Sequence, residues 1–200
     1  MKWNEIYILV FQSSNDLSWK TAFHLHKRYN IPTDNIAVFL STDMTKYHDF
    51  LSRTTLGSKI IVLAHGTADY IDASPFGNMY PVFFLQFLYD KLGLRNAGLI
   101  SFKSCMIGSG YFLDKCAQTC ELVFKDLYVG WWKGYKQTSA THFKTGSCSF
   151  SSGSEDYDLR ENSNCEFKLN DDARIKFIKG NIYVSPPYAS GERWENILKQ

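Results

Sequence analysis

The sequence predicts an α/β domain: a three-layer α/β/α sandwich on a mostly parallel sheet, completed by an antiparallel C-terminal part. Three observations predict it. Up to about residue 130, short apolar runs alternate with segments of helical pattern, the arrangement of parallel strands joined by crossover helices. The apolar runs are continuous and do not alternate with polar residues, as expected of strands covered on both faces. Finally, 200 residues with 44% apolar, 16% aromatic and 21% charged side chains suit a single domain that buries a continuous core.

The elements follow in order. Ile6 to Phe11 is a short apolar run and the first strand. Polar Gln12-Ser13-Ser14-Asn15-Asp16 leads into a helix over Leu17–Tyr29, which stops before Pro32. Ile36–Leu40 is a second strand and Thr45–Arg53 a short helix. Lys59–Ala64 is a third strand, running into His65-Gly66. Pro81 opens a helix to Leu92, apolar almost all round and therefore expected to be deeply packed. Gly98–Phe102 is a fourth strand, ending at Lys103-Ser104-Cys105. A helix over Tyr111–Glu121 and a fifth strand at Leu127–Val129 close the α/β core, residues 1–144. Ser, Gly, Asp and Asn dominate 145–164, which reads as a mobile loop. Cys165–Leu169 and Ala173–Val184 read as antiparallel strands, the second broken at Gly180-Asn181, before a short terminal helix over Glu192–Lys199.

Several function classes fall away. A net charge of +2 with no Lys/Arg block argues against a nucleic-acid binder. The apolar stretch Pro81–Leu94 is too short, and interrupted by Asp90 and Lys91, to span a bilayer. The N-terminus reads as a strand and not as a signal peptide. Five irregularly spaced cysteines fit reduced thiols in a cytosolic compartment better than a disulfide framework. Cys116 and Cys120 share a helix face, but with Cys148 and Cys165 they match no usual zinc spacing, so no metal site is expected.

What remains is a pair of strand ends. Parallel sheets carry their sites at the carboxyl ends of their strands, and both His65 and Cys105 stand there. Imidazole exchanges protons near neutral pH. Gly66 lets a carbonyl approach closely and offers a backbone N–H. Cys105 leaves a buried strand for a glycine-containing turn (Met106-Ile107-Gly108-Ser109-Gly110) and then a helix, which suits an accessible thiolate with oxyanion donors beside it. Each residue alone also fits a packed strand end.

Strand-Ala64-His65-Gly66 followed by strand-Ser104-Cys105 resembles the caspase-like cysteine peptidases, which include caspases, legumains, clostripain and the autoprocessing domains of large RTX toxins. The similarity in element order covers about residues 1–135. The caspase pentapeptide Gln-Ala-Cys-x-Gly is absent, and the spacing of His65 and Cys105 is shorter than the roughly 50 residues of caspases. The toxin-type domains and related secreted bacterial effectors are therefore the closer match in type. The resemblance implies a caspase-like sandwich with a C-terminal β-flap over 165–200. It implies peptide hydrolysis through a thioester, with Cys105 as nucleophile, His65 as its proton-transfer partner, and the N–H groups of Gly66 and Cys105 as oxyanion donors. It needs no cofactor for the chemistry.

By the same resemblance, Lys103, Trp131, Trp132 and Lys133 line the substrate cleft. Lys168, Arg174, Lys176 and Lys179 form a basic surface for inositol hexakisphosphate as activator. An effector of this type reaches a host cytosol without a cleavable signal. Two alternatives stay open: a non-catalytic α/β binding or scaffold protein, and a doubly wound phosphate- or nucleotide-binding domain. The latter lacks its glycine-rich turn, since Gln12–Asp16 stands in that place.

Overall fold

The structure is a computed structural model, and it describes residues 3–11, 17–136, 149–152, 155–158 and 175–184. A six-stranded sheet forms its centre. Strands β1 (Glu5–Phe11), β2 (Ile36–Phe39) and β3 (Ser58–Leu63) lie on one side of it. Strands β7 (Asn96–Phe102), β8 (Tyr128–Tyr135) and β11 (Ile175–Lys179) complete the other. The spatial order is β11-β8-β7-β3-β1-β2. All neighbours are parallel except β11, which runs antiparallel to β8 as an edge strand. No helix among the described residues is long and apolar enough to cross a membrane.

Helices cover both faces, and side-chain alternation along the strands decides which residues each helix meets. Helix α1 (Leu17–Tyr29) buries Ala22 and Leu25 against Ile8, Val10, Ile61 and Leu63. On the opposite face, α2 (Pro81–Gln86) and α3 (Phe112–Leu122) pack Phe84, Leu85, Phe112 and Leu113 onto Leu9, Val62, Phe102 and Trp132. A third, smaller cluster of Trp3, Leu99, Trp131 and Val184 fills the α1 face where that helix does not reach. The stretch after β11 is stitched to β8 by Asn181, whose amide donates to the Leu127 carbonyl (2.8 Å) and accepts from the Val129 N–H (2.9 Å). The indole N–H of Trp131 donates to the Val184 carbonyl at 2.9 Å.

Four expectations are corrected. Thr45–Arg53 is a series of tight turns, not a helix. Tyr47 and Phe50 donate to carbonyls three residues back, Asp49 takes a left-handed φ of 57°, and its N–H is drawn off to the Lys91 carbonyl. The Pro81 helix is not buried all round: Phe83 is 62% and Val82 48% exposed. Its α-helical part ends at Gln86 and continues as one π-helical turn over Phe87–Lys91. The fifth strand runs through Gly130 to Tyr135 and does not stop at Val129. Part of the segment read as a mobile loop is an antiparallel hairpin of β9 (Ser149–Ser152) and β10 (Glu155–Asp158). The strand read at Cys165–Leu169 and the helix at Glu192–Lys199 lie outside the described residues.

One buried charge has a measurable consequence. Lys59 is only 3% exposed, on the α1 face of β3, and burial together with the Lys103 charge pushes its ammonium down to about 7 from 10.5. Below about pH 7 both folded and unfolded chains carry that proton, so the folded state bears the full burial cost. Between 7 and 10.5 the unfolded chain holds the proton more tightly, so Lys59's contribution makes stability rise with pH. Lys59→Met should therefore stabilise the protein most below pH 7, with the gain shrinking as the pH rises. Denaturant melts of both proteins from pH 6 to 9 check this, and a pH-independent difference would contradict it.

Candidate active site

The pairing of β3 with β7 sets the site. Partners run from Lys59↔Leu99 to Val62↔Phe102, always 40 positions apart, and the Lys103 N–H extends the ladder by donating to the Val62 carbonyl at 2.8 Å. His65 and Cys105 are also 40 positions apart. Both lie just past the paired segments, His65 in the short strand that follows β3 and Cys105 in the turn that follows β7.

Burial tells which way they face. Ala64 and Ser104 are buried, whereas His65 is exposed and Cys105 half-buried. Both therefore point away from the core that contains Ala64, Val62 and Phe102.

Immediately past β3 the chain turns into a small antiparallel sheet of three two-residue strands: β4 (His65–Gly66), β5 (Ile71–Asp72) and β6 (Asn78–Met79). The Thr67 N–H donates to the Tyr70 carbonyl at 2.9 Å and closes the first turn. In an antiparallel ladder, residues bonded to the partner strand alternate with residues whose N–H and C=O point outward. Thr67 and His65 are of the first kind, so the Gly66 N–H is directed away from β5. A Cβ on Gly66 would come within 2.8 Å of the Cys105 carbonyl oxygen and 2.9 Å of Ser104 Cβ. Glycine is required here by backbone contact between the two strand ends.

The turn after Cys105 is held from three directions. Met106 takes a left-handed φ of 55°, an unfavourable state for a residue with a Cβ. Its carbonyl accepts from both the N–H (2.8 Å) and the hydroxyl (2.6 Å) of Ser109. The Gly108 N–H donates to the Tyr135 carbonyl at 2.7 Å. Gly110 rests on the β4–β5 hairpin, where a Cβ would meet the Ala68 carbonyl at 2.7 Å. From β11, the Lys176 ammonium donates to the Gly110 carbonyl at 3.0 Å and pairs with Asp114 at the start of α3.

The other expected site residues are distributed differently. Lys103 is half-buried on the Cys105 side of β7, and its ammonium donates to the Tyr135 hydroxyl at 2.8 Å. Lys133 is 1% exposed, beneath the Phe177 ring with its ammonium 5.5 Å from the ring centre. Trp132 is wholly buried against α2 and α3, and Trp131 packs on Trp3 and Val184. The cleft reading of Trp131, Trp132 and Lys133 is therefore corrected: strand alternation sends one tryptophan into each core layer, and Lys133 has no exposed surface. The basic patch also changes. Lys176 is matched by Asp114, and Lys179, three positions on along β11, faces the other way. Lys168 and Arg174 lie outside the described residues.

Cys116 and Cys120 are packed helix thiols: burial pushes Cys120 up to about 12 and Cys116 well above its ordinary value. Among the described residues no three His, Cys, Asp or Glu gather as metal ligands would. Sequence reasoning passed over Asp72 and Tyr135. Asp72-Ala73-Ser74-Pro75 carries an Asx-turn signal that could have flagged the first. Comparison with protein-family models, with curated proteins and with solved structures found no match.

Two substitutions test this geometry without reference to activity. Gly66→Ala should lower stability by about 1–3 kcal/mol in urea denaturation, because the colliding atoms, the Cys105 carbonyl oxygen and Ser104 Cβ, are both fixed by the backbone and cannot swing aside. Met106→Gly should retain wild-type stability, while Met106→Val should lose about 1–2 kcal/mol, since a β-branched residue tolerates the left-handed region worst.

Proposed function

We propose that the protein is a cysteine endopeptidase of caspase-like type, acting through a thioester acyl-enzyme. One observation supports this reading: β3 and β7 pair at a constant offset of 40 positions, the same separation as His65 and Cys105, and the Cys105 backbone stands against Gly66. In the reaction the Cys105 thiolate attacks the scissile carbonyl carbon, and the N–H groups of Gly66 and Cys105 stabilise the oxyanion. As the C–N bond breaks, the His65 imidazolium gives its proton to the departing amine, leaving the acyl group on sulfur. His65 then takes a proton from water as it attacks the thioester, and the acid product leaves with the thiolate restored. The resemblance to caspase-like peptidases is what selects a peptide among possible acyl donors. Lys103, tethered to the Tyr135 hydroxyl two residues before the nucleophile, is the group suited to meet the side chain preceding the scissile bond.

The test is labelling with a thiol-reactive peptide probe, read by mass spectrometry, together with cleavage of a peptide library. Cys105 should be the modified residue, and buried Cys116 and Cys120 should stay unmodified. Cys105→Ala and His65→Ala should each lower turnover by on the order of 10³-fold or more, and the double variant should be little worse than either. Near-normal proteolysis by folded Cys105→Ala would refute the assignment. A non-catalytic binding domain would show neither selective labelling nor cleavage.

A further inference from the structure

We infer that Asp72 is the positioning residue for His65, holding the imidazole in the orientation and tautomer that proton transfer at Cys105 requires. The inference rests on the reading of His65 and Cys105 as a catalytic pair, and on three further features of the small antiparallel sheet.

The first is register. His65 is paired directly with Asp72 across β4 and β5. Opposed residues in an antiparallel pair share a face, with Cβ atoms about 4.5–5.5 Å apart, so that rotation about the side-chain bonds brings a carboxylate and an imidazole within hydrogen-bonding reach. Burial agrees: Ile71 and Ala73 on either side are fully buried in the core, as is Ala64 before His65, so both polar side chains point to the opposite face.

The second is that the carboxylate is fixed in place. Asp72 Oδ1 accepts from the Ser74 hydroxyl at 2.6 Å and from the Ser74 N–H at 3.1 Å. Two bonds to one oxygen set the plane of the group and direct its other oxygen independently of His65. Asp72 is half-buried, so its interactions are less screened than those of a fully exposed carboxylate.

The third is the order of the elements. β5 flanks β4 along the ladder, and the Cys105 carbonyl and Ser104 Cβ stand against the α-carbon of Gly66, the next residue. His65 thus has the carboxylate opposite it across the ladder and the Cys105 segment packed beside its neighbour in the chain. That is the sequence of roles in which an acid fixes a histidine that serves a nucleophile. Asp69, the nearest other acid in the chain, sits at the exposed tip of the turn, where its N–H is taken up by the Thr67 hydroxyl.

Removing the charge while keeping the shape isolates this role. In Asp72→Asn, kcat for peptide cleavage should fall on the order of 10²-fold or more with KM changed little, and Asp72→Glu should recover part of it. Ser74→Ala, which frees the carboxylate without removing it, should give a smaller loss in kcat. The second readout needs no turnover: the nitrogen resonances of the His65 ring, measured in intact wild-type protein, should report one dominant neutral tautomer. In Asp72→Asn they should report a mixture. Unchanged tautomer populations in folded Asp72→Asn would overturn the inference whatever the activity, as would altered populations with wild-type kcat. If the wild type cleaves no peptide, the peptidase reading fails, and the ring resonances alone decide whether Asp72 holds His65.

Discussion

The structure depends on how β3 lies against β7. Each strand is buried on both faces, so sliding one past the other by a single residue would turn its apolar side chains from one core layer to the other. Ile60 and Val62 must meet the aromatic layer under α2 and α3, while Ile61 and Leu63 must meet α1. This requirement has nothing to do with catalysis, yet it fixes the alignment of whatever follows the two strands. The segments that carry His65 and Cys105, which meet at Gly66, inherit their placement from core packing. The short sheet of β4, β5 and β6 and the clamped turn at Met106–Gly110 then refine it.

Much of the central sheet is legible in the sequence because fully buried strands leave an unmistakable trace. Ile6–Phe11 and Ile60–Ala64 are apolar without interruption, Gly98–Phe102 is broken only by Ser101, and each coincides with a strand to within two residues at either end. The misreadings have physical causes. Gly130 and Gly134 look like strand breakers, but β8 uses Gly130 where the Val184 side chain and the Gly98 carbonyl leave no room for a Cβ, and Gly134 where the Ile107 side chain leaves none. Strands of two residues, such as β4 and β5, are too short to show any period, so the opposition of His65 and Asp72 exists only in three dimensions. Trp131-Trp132 looks like a binding surface when read as a pair, whereas strand geometry separates the two rings into different core layers.

The lysines show how position changes the meaning of a charge. Lys59, Lys103 and Lys133 all lie on the α1 face of three adjacent strands, since their neighbours Ile60, Phe102 and Trp132 belong to the opposite layer. Two are buried and the third is tied to Tyr135. Burial first, and then the Lys103 charge on the same sheet face, bring Lys59 down to about 7. A sequence shows three unremarkable lysines; the sheet brings them together beside the one face on which the candidate pair stands.

The contact at Gly66 bears on how chains of this kind are sorted into active enzymes and inert look-alikes. Because the glycine is demanded by the neighbouring backbone, a descendant that lost its thiol and kept its scaffold would still be held to glycine there. Glycine after the histidine is thus a marker of architecture and carries no information about chemistry at position 105. Position 105, whose side chain faces outward and supports no core layer, is where an abandoned activity would leave its record.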